Sequence, residues 1–259
     1  MNNTEKNWDR EWARQLRAEH RWQRQALNRT PGRLQRELES RVPEAVRKSL
    51  TGAFRASLTA ALDGESLLRR TVSRPAVEKR RARTDALLRS PGRFGGVRDP
   101  AKGVVRTAAA AAAVRSAGLG LLGIGLPDIP VFTALLLRNM GQIAHGYGCG
   151  TGTRRDRLLW LRILDAALTD GPDYPRRAQR AAQALAGEPD DPACLPELTG
   201  RVAEGLCARL LAAKFLQGIP LAGAAGSLAD SRLTASLLDY TALCCNRQYL
   251  LGHCPAARD

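Results

Sequence analysis

Residues 102–148, KGVVRTAAAAAAVRSAGLGLLGIGLPDIPVFTALLLRNMGQIAHGYG, carry the reading of the fold. An alanine-rich run to about Ala117 is among the strongest helix-forming compositions. A Gly/Leu tract then leads into the turn Leu126-Pro127-Asp128-Ile129-Pro130, and a second helix is expected to run on to about Gly146. Asp128 is placed to cap that helix, with Pro130 in its first turn, where a missing N–H costs nothing. The span 117–137 has the length of a membrane-crossing helix. It also holds Asp128, two prolines and glycines at 118, 120, 123 and 125, so a straight span is disfavoured. Two closely packed small-residue helices fit better, either in a buried core or as a re-entrant hairpin against a bilayer.

Working outward, the same grammar recurs. Residues 214–252 run from a helix into Gly218-Ile219-Pro220, a small-residue tract with Gly223 and Gly226, and a further helix. Between the two hairpins, helices are expected over 154–168, 176–186 and 197–217, with a proline-bearing acidic loop at 187–196. Upstream, Val46, Leu50, Phe54, Leu58 and Leu62 recur every four residues after Pro43, the mark of an amphipathic helix. Residues 5–28 form a basic helix with Trp8, Trp12 and Leu16 along one side, and a short basic helix is expected around 77–88. The fold class is therefore all-α: a helical bundle with two glycine/proline-broken hairpins and a basic helical N-terminal extension. The expected division is 1–98 for the basic region and 99–259 for the core, with part of 40–98 continuous with it.

Charge is uneven along the 259 residues. The net is +15, of which the first hundred residues hold +11 and the remainder +4. Such a basic portion points to an anionic partner: an acidic lipid surface, a membrane-protein complex or nucleic acid. The candidates for that contact are Arg14, Arg17 and Arg21 on the first helix, and the run Lys79, Arg80, Arg81 and Arg83. Tryptophan beside arginine suits headgroup depth, while the opposite expectation docks those indoles on the protein's own core. No recognition-helix module or aromatic-basic RNA motif accompanies the charge.

Catalytic patterns are sparse. Gly118, Gly120 and Gly123 satisfy G-x-G-x-x-G, yet an alanine run stands where the dinucleotide fold needs a strand. With His20, His145 and His253 as the only histidines, and with neither CxxC nor HExxH present, no metal and no cofactor is expected. The six cysteines, at 149, 194, 207, 244, 245 and 254, read as buried reduced thiols of a cytoplasmic chain. The best polar cluster lies on the helix after Pro130. There Arg138, Gln142, His145 and Cys149 share a face if the helix persists, with Asp128 at its start.

The stretch GIGLPDIPVFTALLLRNMGQIAHGYG, followed by RLLWLRIL at 157–164, resembles the central signature of the EcsC family. A glycine-rich helix, Leu126-Pro127-Asp128, an apolar helix carrying Arg138, then Ile143-Ala144 and Tyr147-Gly148 are the matching features. KFLQGIPLAGAAG, with Lys214, Pro220 and Gly223, is similar to its second block, so the resemblance spans roughly 100–252. An acid usually follows the Tyr-Gly, where this chain has Cys149-Gly150; an asparagine often follows the second glycine block, where Asp230 stands nearby. The resemblance adds Tyr147 to the polar candidates and implies work beside a membrane transporter. It implies no reaction. The expectation is a non-enzymatic accessory protein at the cytoplasmic membrane face; the alternatives are a hydrolase or ligand-binding protein using the face after Pro130, and a nucleic-acid binder.

Overall fold

A computed structural model describes residues 3–29, 42–63, 128–149, 155–188, 191–215 and 226–253, with single positions at 78, 82 and 105. Seven α-helices and no strand occur among the described residues. They are α1 (Asn3–Asn28), α2 (Glu44–Asp63), α3 (Asp128–Gly146), α4 (Arg155–Leu168), α5 (Tyr174–Ala186), α6 (Leu195–Phe215) and α7 (Gly226–His253). Short 3-10 turns at Gly171–Asp173 and Pro192–Cys194 lead into α5 and α6. The all-α class holds, and α3 and α7 are the second arms of the expected hairpins. The glycine/proline breaks before them, at 106–127 and 216–225, lie outside the described residues, as do Lys79, Arg80, Arg81 and Arg83.

The centre is set by α4. Leu158 through Leu161 and Ile163 through Ala167 are all buried, Asp165 among them. Among its side chains at 157–168 only Arg157, Arg162 and Leu168 are partly open, so this stretch is largely enclosed by its neighbours. It packs against α5, α6 and α7. In turn α7 touches α1, α3, α4, α5 and α6, and α2 lies against α6 and α3. Leu50, Phe54, Leu58 and Leu62 form the buried stripe of α2, and Phe54 meets Phe132 of α3 edge-on, ring centroids 6.1 Å apart. Val46 continues that spacing yet is exposed, because the first turn of α2 overhangs the core. Pro43 stands one residue before the helix, its carbonyl accepting from Val46 and Arg47, rather than inside the first turn.

Two carboxylates at the end of α4 tie the layers together. Asp165 accepts from Arg177 of α5 at 2.7 Å and faces Arg201 of α6 at 3.5 Å. Asp170 accepts from Arg209 of α6 at 2.7 Å, with Arg29, just past α1, at 3.7 Å. A buried acid needs such partners to offset its desolvation.

Candidate functional site

The face after Pro130 is built by α3, whose inner stripe is Thr133, Leu136, Leu137, Met140, Ile143 and Ala144, all buried. On the outer side Arg138 is exposed, and Gln142 and His145 are half-buried. The helix does not persist to Cys149. It ends at Gly146, where Gly148 adopts φ 74°, the Gly148 N–H bonds the His145 carbonyl at 3.1 Å, and the Cys149 N–H bonds the Ala144 carbonyl at 2.8 Å. That is the glycine-terminated helix stop in which the chain reverses and satisfies the last carbonyls. Consequently Tyr147 and Cys149 turn inward. Tyr147 faces Tyr249 of α7, centroids 6.3 Å apart, and the Cys149 thiol donates to the Cys245 carbonyl at 3.7 Å. Asp128 is the first residue of α3, and its side chain lies outside the described residues. Arg138, Gln142, His145 and Tyr147 line neither of the two described cavities.

The first helix sorts its residues into two opposite faces. Trp8, Trp12, Gln15, Glu19, Trp22 and Ala26 follow one another at spacings of four and three and turn toward the protein. Against α7, Gln15 donates its amide to the Leu243 carbonyl at 2.9 Å and accepts from Asn246 at 2.7 Å. Arg247 bonds Glu19 at 2.6 Å and lies over the Trp12 ring, 5.3 Å from its centroid. Trp22 packs on Tyr240, centroids 4.8 Å apart, and carries Arg29 on its ring at 5.6 Å. The tryptophans thus take the inward of their two expected placements.

Arg10, Arg14, Arg17, Arg21 and Arg24 occupy the other face at the same alternating spacing, and all five are exposed. Arg14 pairs with Glu11 at 2.6 Å; Arg17, Arg21 and Arg24 form no ion pair among the described residues. Between residues 8 and 29 no exposed position is acidic: Asp9, Glu11 and Glu19 are all at least partly covered. Burial raises the carboxyl pKa of Glu11, an effect that Arg14 partly opposes. Sequence reasoning named Arg14, Arg17 and Arg21 but missed Arg10 and Arg24, although their spacing completes the same stripe.

A third feature was not anticipated. Between α1, α5 and α7 lies a half-open cavity of about 520 Å³, floored by Tyr174, Tyr240, Leu243 and Cys244. The Tyr240 hydroxyl engages both the Tyr174 hydroxyl and the Cys244 thiol. Burial pushes the Cys244 thiol up to about 12 and raises both tyrosines. At neutral pH this sulfur holds its proton and is a poor nucleophile. Among the described residues, no three His, Cys, Asp or Glu side chains are grouped to hold a metal ion, and no helix is long and apolar enough to cross a membrane.

These features define a class: an all-α protein in which the described side chains of Arg138, Gln142, His145 and Tyr147 line neither described cavity. The chain belongs to the EcsC protein family, whose model matches residues 8–250. The match reaches well upstream of the 100–252 resemblance and takes in both α1 and α2. Neither a curated protein nor a solved structure matches the chain.

Proposed function

We propose that this EcsC-family chain is a non-enzymatic, membrane-proximal accessory protein that meets the anionic cytoplasmic face of a membrane through the arginine face of α1. The observation that carries this reading is the exposed row Arg10, Arg14, Arg17, Arg21 and Arg24, with no acid exposed beside it. A row of cations on a rigid helix adds about 1 kcal/mol of attraction per residue near an anionic leaflet. Its opposite side is held on α7, so the contact is one of charge at the surface and not of insertion. The separation of Arg138 from the inward-turned Tyr147 and Cys149 favours binding over catalysis for this chain.

Sedimentation with phosphatidylcholine vesicles, with and without phosphatidylserine, tests the proposal. Binding is expected only with the anionic lipid and is expected to fall steeply with salt. The triple variant Arg17→Gln, Arg21→Gln, Arg24→Gln is expected to weaken it about a hundredfold. Equal binding to both vesicle types would overturn the reading. Tighter, equally salt-sensitive retention on duplex DNA would replace it with nucleic-acid binding.

A further inference from the structure

The cavity between α1, α5 and α7 has a chemistry distinct from the arginine face, and its argument is independent of membrane contact. Four glutamines from three helices line it: Gln23 of α1, Gln179 and Gln183 one turn apart on α5, and Gln248 of α7. None of their carboxamides is hydrogen-bonded among the described residues. Each carboxamide can both donate and accept, so the rim offers hydrogen bonds of either sense without net charge.

The lining charges do not call for a charged ligand. Arg247, its single cation, is already bonded to Glu19 at 2.6 Å and stacked on Trp12. Glu188 sits at the exposed end of α5, where solvent screens it. The floor is apolar, and its hydroxyls and thiol are engaged with one another. A volume of about 520 Å³ falls within the range that holds small organic ligands.

We propose that this cavity binds an uncharged amphiphile: an apolar chain or ring on the Tyr174–Tyr240–Leu243 floor, with an amide, ester or alcohol end met by the glutamine rim. An anionic ligand would find the cavity's one cation, Arg247, already bonded to Glu19. A cation would have to compete with Arg247 for Glu19.

Nile red, an uncharged dye with an apolar body and a carbonyl acceptor, serves as the probe, titrated into the full chain without vesicles. Saturable binding at one site is expected. It should weaken at least tenfold in Ala182→Trp, which places an indole at the cavity from an exposed position on α5. The thermal midpoint of that variant is expected to match the parent, which separates cavity filling from misfolding. Decanamide and 1-decanol should displace the dye at concentrations at least tenfold below those needed for decanoate or decylammonium. The double variant Gln179→Ala, Gln183→Ala should narrow the advantage of decanamide while leaving dye binding in place. The proposal is overturned if the dye does not bind, if folded Ala182→Trp binds it as tightly as the parent, or if either charged amphiphile displaces it as well as decanamide.

Discussion

Replacing Gln15 with alanine tests the seam on which the orientation of α1 depends. Gln15 is 3% exposed, donates to the Leu243 carbonyl and to Glu19, and accepts from Asn246. Two of these contacts, to Leu243 and Asn246, cross to α7; at about 1 kcal/mol net for each, their loss weakens the hold of α1 by about 2 kcal/mol. The Asn246 amide is then left half-buried without its acceptor, which keeps the cost from falling much below that. Of the four tryptophans in the chain, Trp8, Trp12 and Trp22 lie on α1 and only Trp160 lies in the centre. Indole fluorescence during urea unfolding therefore reports α1 first, while helical circular dichroism reports the whole bundle. The expected result is an earlier, red-shifted fluorescence transition in Gln15→Ala, running ahead of the loss of helix. A cycle with Asn246→Ala should give a coupling of about 1 kcal/mol. If the fluorescence midpoint does not move and the coupling is zero, α1 is not seated by this seam. Its tryptophans are then available to a bilayer, and the charge-only contact fails with them.

Glycines separate open from closed helix faces. A β-carbon at Gly52 or Gly200 meets nothing within 4 Å, so alanine there should raise the thermal midpoint through helix propensity, by up to about 1 kcal/mol. At Gly205 it would come 3.0 Å from the Leu168 β-carbon, which cannot swing away, so Gly205→Ala should lower the midpoint instead. Asp165→Asn should cost about 3 kcal/mol in a chemical melt, because Arg177 and Arg201 lose the carboxylate they enclose; a cost below about 0.5 kcal/mol, typical of surface changes, would mean the trio is not a staple. The native Cys244 thiol should resist iodoacetamide at neutral pH. Cys244 and Tyr240 keep their protons in the folded chain when the unfolded chain has lost them, so their contribution is complete below about pH 9 and declines as pH rises toward 12. Cys244→Ala should flatten that alkaline loss of thermal stability, and an unchanged slope would count against the burial argument.

The helices were legible because burial imposes a period that the chain repeats. Leu50, Phe54, Leu58 and Leu62 had one physical solution, and so did the Tyr147-Gly148 stop, once Gly148 is seen as the residue that tolerates φ 74°. The one-face reading of Arg138 through Cys149 failed at that same glycine: the spacing was right, but the helix stopped short of the last member. Asp165 carried a signal that went unread, since a lone acid inside RLLWLRILDAAL implies arginine partners from neighbouring elements. The cavity carried almost none. Gln23, Gln179 and Gln248 are each ordinary surface residues in sequence, and only the packing of α1, α5 and α7 brings them together.

For α1 the sequence shows two complementary stripes, tryptophan and arginine, and local periodicity cannot choose which faces inward. The choice rests on partners as far as 231 residues away, chiefly Asn246 and Arg247. Arg247 neutralises Glu19 on the docked side, which leaves the helix's exposed field to the arginines on the other. Inserted indoles would hold a membrane through apolar burial, which salt strengthens if anything. Exposed arginines hold it through a field that decays over about 10 Å at 0.1 M salt. The docking of three tryptophans on the protein is therefore what gives the proposed membrane contact a specific expectation. Attachment must collapse as salt rises, and any fraction that survives high salt must come from a part of the chain other than the described face of α1.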